Sequence, residues 1–297
     1  MSLLFHTSPS NPTKPDEILH RALAASHAER LSPGLECPDF EATLKREACV
    51  RRLERDFIEA ERAAVSQEVR ALPGHPGRFV TWFETLKVVG PGQGDPLFPW
   101  LAHSANHRQM CWFLQQELAG EAGFDDLVAL SQVKLPNRPK LEMAKNYWDE
   151  MGQGHEGGMH GPMLSVLAQS LGLDTHAETV WESLALSNLM VGLATARHYA
   201  YQSIGALGVI ELTAPGRSEM VNAGLKRLGI DGAARRYYAL HATLDVRHSA
   251  TWNREVLEPL VAKDPLIAQR LAEGALMRLR AGGRCFQRYR EELWARS

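Results

Sequence analysis

The chain of 297 residues has few cysteines and almost no surplus charge. Its four cysteines are scattered without a CxxC pair, which argues against a disulfide framework and against a cysteine-based zinc site. We therefore expect reduced thiols and a cytoplasmic protein. The 33 basic and 35 acidic side chains leave a formal net charge of -2, which gives no bulk attraction for nucleic acid or for an anionic membrane. Neither is expected as a partner.

The sequence also lacks long hydrophobic runs and any sustained alternation of apolar and polar residues. No segment offers about 18 consecutive uncharged apolar residues, so a membrane-spanning helix is not expected, and the first residues do not resemble a signal peptide. The absence of period-two alternation disfavours strands, whereas helical periodicity recurs along the chain. With 44% hydrophobic residues available for a core, the sequence predicts an all-α bundle.

The predicted helices fall into two parts. Residues 1–100 are expected to form an N-terminal arm and accessory helices, and residues 101–297 a compact helical domain. The first part contains a long charged helix over 39–72 and an irregular excursion over 73–99, where glycine and proline recur. In the second part, a break is expected within the helical stretch 176–213, and proline and glycine at 215 and 216 predict a further break between residues 213 and 217.

The most informative motif is HxxxDxxH, formed by His241, Asp245 and His248. On a helix with about 3.6 residues per turn, offsets of four and seven place the three side chains on one stripe. Two imidazoles and a carboxylate on one stripe form half of a metal site for iron, manganese or zinc. The alternative is an exposed polar helix face, which the apolar neighbours of the motif disfavour.

A second half-site is predicted in the glycine-rich segment NYWDEMGQGHEGGMHGP. The glycines allow the backbone to turn between two helical stretches, and such a bend can direct Glu150 and His160 to one point. His155 and Glu156 are competing donors within the same bend. The alternative is a turn with exposed polar residues.

Glu211 follows the apolar run IGALGVI, where a buried carboxylate is costly unless a cation compensates it. The alternative is a glutamate at a helix end that points into solvent. Taken together, the three segments supply three carboxylates and three imidazoles, a donor set that suits two non-haem irons. The six predicted metal ligands are Glu150, His160, Glu211, His241, Asp245 and His248.

With these residues in view, the chain resembles the haem-oxygenase-like diiron oxidases and oxygenases, often called iron-containing redox enzymes. The resemblance spans roughly Gln109 to Leu260 and rests on DEMGQGHEGGMH, GALGVIE and HATLDVRH. It implies a haem-oxygenase-like helical bundle, here with extra N-terminal helices, and the same six residues as iron ligands. Some family members use a further carboxylate from an earlier helix, for which Glu117 and Glu121 are the candidates.

The resemblance also implies an activity. Two Fe(II) ions with dioxygen as co-substrate would oxidise a small amine or amino-acid-like molecule, by N-oxygenation or oxidative cleavage, with an external electron donor. The N-terminal hundred residues would cover the substrate pocket or build a dimer, and we expect a homodimer.

Three alternatives stay open. The same diiron site can serve oxidative decarboxylation of a fatty acid. A haem-oxygenase-like or thiaminase-like member of the fold would do without diiron chemistry and would use a proximal histidine for haem or a nucleophilic cysteine, for which Cys111 is available. A helical scaffold that only stores or senses metal is the third.

Overall fold

The computed structural model describes residues 15–37, 39–173 and 178–295. Helices and their connections make up this part of the chain, which contains no strand apart from an isolated bridge between Met151 and Met159. The predicted all-α class is therefore confirmed. Among the described residues, no helix combines the length and the apolar character needed to cross a membrane.

The first four helices are α1 (Pro15–Leu31), α2 (Phe40–Ala64), α3 (Pro76–Val89) and α4 (Leu97–His103), of which α4 runs across the boundary predicted at residue 100. The predicted helix over 39–72 ends early, and a series of turns follows it. The excursion predicted over 73–99 is wrong for its central part, because α3 is a regular helix with Phe79 and Phe83 fully buried. Its glycines and prolines lie outside α3 or in its first turn, where proline is tolerated.

The remaining helices complete the bundle. They are α5 (His107–Gly120), α6 (Phe124–Ser131), α7 (Asn137–Glu150), α8 (His160–Ser170), α9 (Trp181–Thr195), α10 (Ala200–Arg227), α11 (Arg236–Trp252), α12 (Glu258–Lys263) and α13 (Leu266–Ala295). A five-residue π-helical turn, Asn253–Leu257, joins α11 to α12.

Helix α10 is continuous where the sequence predicts a break. It passes through Pro215 and Gly216, whereas the break expected within 176–213 is present between α9 and α10. The prediction at Pro215 fails because local propensity is a weak guide for a helix that is held on several sides. Here α10 packs along α4, α11 and α13, so tertiary contacts outweigh the local cost of the proline.

Two glycines set the distance between α10 and α13. A side chain at Gly205 would collide with the backbone of Leu271, and one at Gly274 would collide with the backbone of Gln202. Without a Cβ atom, each helix fits directly against the other. This close crossing fixes the axial position of α10, and with it the position of Glu211.

The N-terminal helices pack on this bundle. Helix α1 lies against α9, and α3 lies against α10 and α12. Between α1 and α2, the buried His27 Nε2 donates to Glu54 Oε2 at 2.7 Å, and Arg30 approaches the same oxygen at 3.5 Å. The division at residue 100 stays a prediction.

Candidate metal centre

The HxxxDxxH motif lies on α11, and all three of its side chains are buried. The Nδ1 atom of His241 donates to the backbone carbonyl of Tyr237 at 2.8 Å. This hydrogen bond fixes the tautomer of the ring, so that Nε2 carries the free lone pair. The Nε2 atom is buried and has no hydrogen-bond partner among the described residues. It is therefore oriented as a metal ligand requires.

The glycine-rich bend brings Glu150 and His160 together as predicted. Glu150 is the last residue of α7 and His160 the first of α8, and His160 Nδ1 donates to Glu150 Oε2 at 2.8 Å. Gly152 has a φ angle of +60°, and a Cβ atom there would lie 2.5 Å from the carbonyl carbon of Gly158. Only glycine fits this turn. His155 and Glu156, the competing donors, are exposed.

Glu211 lies in the middle of α10 and is only 2% exposed. The alternative of a glutamate at a helix end in solvent is thus wrong. The Oε2 atom of Glu211 is 3.4 Å from His248 Nδ1, and its Oε1 atom accepts a hydrogen bond from Asn146 at 2.5 Å. The buried carboxylate of Glu211 therefore lies next to the imidazole of His248 on α11.

Donor atoms from five of the six predicted ligands form two groups that share Glu150. In each group the atoms lie within 4.8 Å of one another: Glu150, His160 and His241 in one, and Glu150, Glu211 and His248 in the other. The two oxygens of Glu150 face different groups, because Oε2 is 3.7 Å from His241 Nε2 and Oε1 is 4.0 Å from His248 Nδ1. This geometry suits a carboxylate that bridges two cations.

Asp245, the sixth predicted ligand, lies outside both groups but lines the same cavity as Glu150, Glu211 and His241. It is 3% exposed, and its Oδ1 atom is buried without a hydrogen-bond partner among the described residues. The cavity has a volume of about 90 Å³. Five of the six residues predicted from the sequence thus line one small space, and the sixth, His248, lies beside it against Glu211.

The fold and this geometry invite comparison with known proteins. A model of the family described as iron-containing redox enzymes matches residues 111–283, which is more than half of the chain. The chain belongs to this family. No curated protein matches the sequence.

Among solved structures, the chain is similar to a CADD-like protein of unknown function from Nostoc punctiforme PCC 73102. The crystal structure of that protein at 2.00 Å superposes with a TM-score of 0.58 at 17% identity and covers 73% of this chain and 98% of the other. A second structure of it, at 1.35 Å, gives 0.56 at 16% identity, with coverage of 75% and 97%. At this level of identity the likeness supports the haem-oxygenase-like fold alone.

The residues at the centre fit the iron that the family name implies. Three carboxylates and three imidazoles are donors that iron accepts, and the chain supplies no cysteine there. Three buried atoms without a hydrogen-bond partner in the described part of the chain belong to this set, namely His241 Nε2, His248 Nδ1 and Asp245 Oδ1. Unpaired buried polar atoms are costly, and a bound cation would satisfy them.

On the His160 side of the cluster, the surrounding carboxylates favour a protonated, positively charged imidazole. Burial opposes protonation of His160, but the carboxylates of Glu121 and Glu150 raise its pKa to about 10. Burial likewise opposes ionisation of Glu150, but the hydrogen bond from His160 and the nearby ring of His241 lower its pKa. Protons here take the role that a divalent cation would take over on binding.

The His248 side shows the same pattern. Burial disfavours the charged ring of His248, but Glu211 and Asp149 raise its pKa to about 9. Burial and the negative charges of Glu211 and Glu150 raise the pKa of Asp245 well above its usual range. The metal-free cluster therefore favours the protonated form of Asp245, whereas a bound cation would favour the carboxylate.

Sequence reasoning missed two residues that hold the predicted ligands. Asp149 Oδ2 accepts a hydrogen bond from His248 Nε2 at 3.0 Å, which leaves Nδ1 turned towards the carboxylates. Asn146 holds Glu211. Both lie on α7 beside Glu150, and an offset of four between Asn146 and Glu150 was the signal available in the sequence.

Of the two candidates for a further carboxylate, Glu121 lies at the centre. It lines the metal cavity, and its Oε2 atom is 3.5 Å from His160 Nε2. Glu117 lines an adjoining cavity instead. The hydroxyl of Tyr237 also reaches His160 Nε2, at 3.2 Å.

Proposed function

We propose that this protein is a non-haem diiron, dioxygen-dependent oxidase or oxygenase that acts on a small amine or amino-acid-like substrate. Membership of the iron-containing redox enzymes gives the general class, an oxidoreductase that uses iron. The observation that carries the diiron proposal is the position of Glu150, whose two oxygens face two separate groups of buried donors. A single-metal site would not require this shared carboxylate.

The six residues Glu150, His160, Glu211, His241, Asp245 and His248 would hold the two irons. Iron held there would supply the electrons for the reduction of dioxygen. The backbone carbonyl of Tyr237 and the carboxylate of Asp149 keep the rings of His241 and His248 turned towards the cluster. The small volume of the cavity limits the amount of water around the reacting groups.

The geometry disfavours the alternatives without iron chemistry. The metal cavity, at about 90 Å³, is smaller than the roughly 300 Å³ at which sites for drug-sized ligands begin, and a haem is larger still. Cys111 does not line this cavity, and burial raises the pKa of its thiol, which disfavours the nucleophilic thiolate. Neither alternative explains why six donors converge.

The test is elemental analysis of protein loaded anaerobically with Fe(II), followed by dioxygen uptake with and without a panel of substrates. We expect about two irons per chain and an increase in uptake with amines or amino acids. Uptake that responds only to fatty acids would favour the decarboxylase. Two irons without any substrate-dependent uptake would favour a storage or sensing role.

Two variants complete the test. Replacing His241 with alanine should abolish binding of at least one iron, whereas Cys111→Ala should leave iron content and activity unchanged. Failure of the wild-type protein to bind iron in every preparation would refute the proposal. The homodimer and the external electron donor are further proposals, for which light scattering and a survey of reductants are the measurements.

A further inference from the structure

The metal cavity adjoins two further spaces. The first, here called the inner chamber, has a volume of about 130 Å³ and shares Glu121, Ile210, Tyr237 and Arg278 with the wall of the metal cavity. Most of its remaining wall is apolar, and includes Leu114, Leu118, Leu164, Leu167, Leu173 and Val221. The chamber therefore suits the hydrocarbon part of a small molecule.

The second space, here called the outer cleft, has a volume of about 620 Å³ and is bordered by the segment Gly92–Asp95 and by α10. It reaches Glu211 and Arg217. Phe98 and Arg217 line both the outer cleft and the inner chamber. A molecule from the cleft would thus meet Arg217 at the entrance to the chamber, and Arg278 where the chamber joins the metal cavity.

Two arginines in the wall of the inner chamber share one nearby carboxylate, that of Glu117. The Nε atom of Arg278 is buried and has no hydrogen-bond partner among the described residues. Arg217 donates to the hydroxyl of Thr213 at 3.0 Å and lies over the rings of Phe98 and Phe286, at 5.9 and 5.4 Å. These contacts orient the guanidinium group of Arg217, and a single carboxylate faces two cations.

Of the acids nearby, Glu121 faces His160 in the metal centre, whereas Glu117 is close to both arginines and accepts from the hydroxyl of Tyr289. Burial raises the pKa of Glu117 although the charges of Arg217 and Arg278 oppose this, so Glu117 compensates the two guanidinium groups only in part. Burial and the charge of Arg278 lower the pKa of Arg217 to about 10, which reflects the repulsion between two cations in a poorly solvated space. An anion placed between them would relieve that repulsion and satisfy the free donors.

We propose that Arg217 and Arg278 bind the carboxylate of the substrate in the inner chamber, so that its apolar body lies beside the metal centre. The inference rests on the proposed diiron function. It narrows the substrate class to small carboxylic acids, which include amino acids, and excludes simple amines. Arginine suits this role because its planar fork donates two parallel hydrogen bonds to a carboxylate.

Calorimetric titration of the metal-free protein tests the proposal with hexanoate and hexanamide, which have nearly the same shape but differ in charge. Wild-type protein should bind hexanoate at least about 30-fold more tightly than hexanamide. Removing the charge of one partner from a buried ion pair weakens binding by that factor or more. In Arg278→Gln the preference for hexanoate should disappear. Arg278→Lys keeps the charge and should retain part of it.

Arg284→Gln is the matched control. Arg284 lies on α13 like Arg278, but it pairs with Glu61 at 2.9 Å away from the cavities, so its replacement should leave hexanoate affinity unchanged. Circular dichroism and the melting temperature establish that each variant is folded. Equal binding of hexanoate and hexanamide to the wild type, or unchanged hexanoate affinity in folded Arg278→Gln, would overturn the proposal.

Iron loading separates this inference from the proposed function. If hexanoate binds only to the iron-loaded protein and Arg278→Gln has no effect, the metal holds the carboxylate and the arginine proposal is wrong, although the diiron function stands. If the metal-free protein binds hexanoate through Arg278 but takes up no iron, the anion site is supported and the diiron function fails.

Discussion

Replacing Asp245 with asparagine should stabilise the metal-free protein and weaken its metal binding. Asp245 is 3% exposed, its Oδ1 atom lacks a hydrogen-bond partner in the described part of the chain, and Glu150 and Glu211 lie close by. Burial and these two charges raise its pKa. Asparagine has nearly the same shape but no charge, so it removes the repulsion and keeps the packing.

The magnitude follows from the cost of burying a polar group without partners. An unsatisfied buried acceptor costs about 1–3 kcal/mol, and more when it is charged, so we expect the neutral amide to recover about 1–3 kcal/mol. For a chain of this length each kcal/mol corresponds to about 2 °C, which predicts a rise of roughly 2–6 °C in the melting temperature.

The sign of the pH dependence is fixed by the direction of the shift. Because the native state binds the proton of Asp245 more tightly than the unfolded state, the contribution of Asp245 to wild-type stability falls as the pH rises from about 4. Asp245→Asn lacks this contribution. The difference in stability between variant and wild type should therefore grow as the pH rises and vanish as the pH approaches 4.

The assay compares melting temperatures of metal-free wild type and variant between pH 5 and 8, and then metal affinity by titration with Fe(II) under anaerobic conditions. The affinity of the variant should fall at least tenfold, since loss of groups that merely support ligands already costs about 10- to 100-fold. Asp231→Asn, at an exposed position, is the control and should change neither quantity. A variant that is less stable than wild type at pH 7, or that binds iron equally well, would refute the reasoning.

Three further predictions concern the surroundings of the centre and the core. Asp149→Ala removes the acceptor of His248 Nε2 and should raise the dissociation constant for iron about 10- to 100-fold in anaerobic titrations, with circular dichroism unchanged. Gly152→Ala forces a Cβ atom to within 2.5 Å of backbone across the bend, so the melting temperature should fall by at least about 4 °C and iron content, measured by elemental analysis, should drop. Burial lowers the pKa of His20 to about 4, so acidification from pH 7 to 4 should cost about 3 kcal/mol in urea unfolding, and His20→Gln should lose much less.

The spacing of residues within one helix made half of the site predictable. Offsets of four and seven place His241, Asp245 and His248 on one stripe wherever the helix lies, and the structure buries all three. The bend before His160 was predictable for a similar reason, because a cluster of glycines permits a turn that other residues resist. The all-α class followed from periodicity.

Local reasoning failed where packing decides. The break predicted at Pro215 is absent because α10 is held by neighbouring helices along its length, and the excursion predicted before residue 99 contains a buried helix. The pairing of Asp149 with His248 joins residues 99 positions apart, which no local pattern encodes. The domain boundary at residue 100 and the ligand roles themselves await the experiments above.

The sequence by itself determined which donors are available and how they are grouped along each helix, because helix geometry and glycine-rich turns depend on neighbouring residues. Only the tertiary structure decided that Glu211 meets His248, that Glu150 faces two groups at once, and that Arg217 and Arg278 line connected spaces. These contacts depend on how the helices cross. The close approach of α10 and α13 at Gly205 and Gly274 sets that crossing, and such packing emerges only when the whole chain is folded.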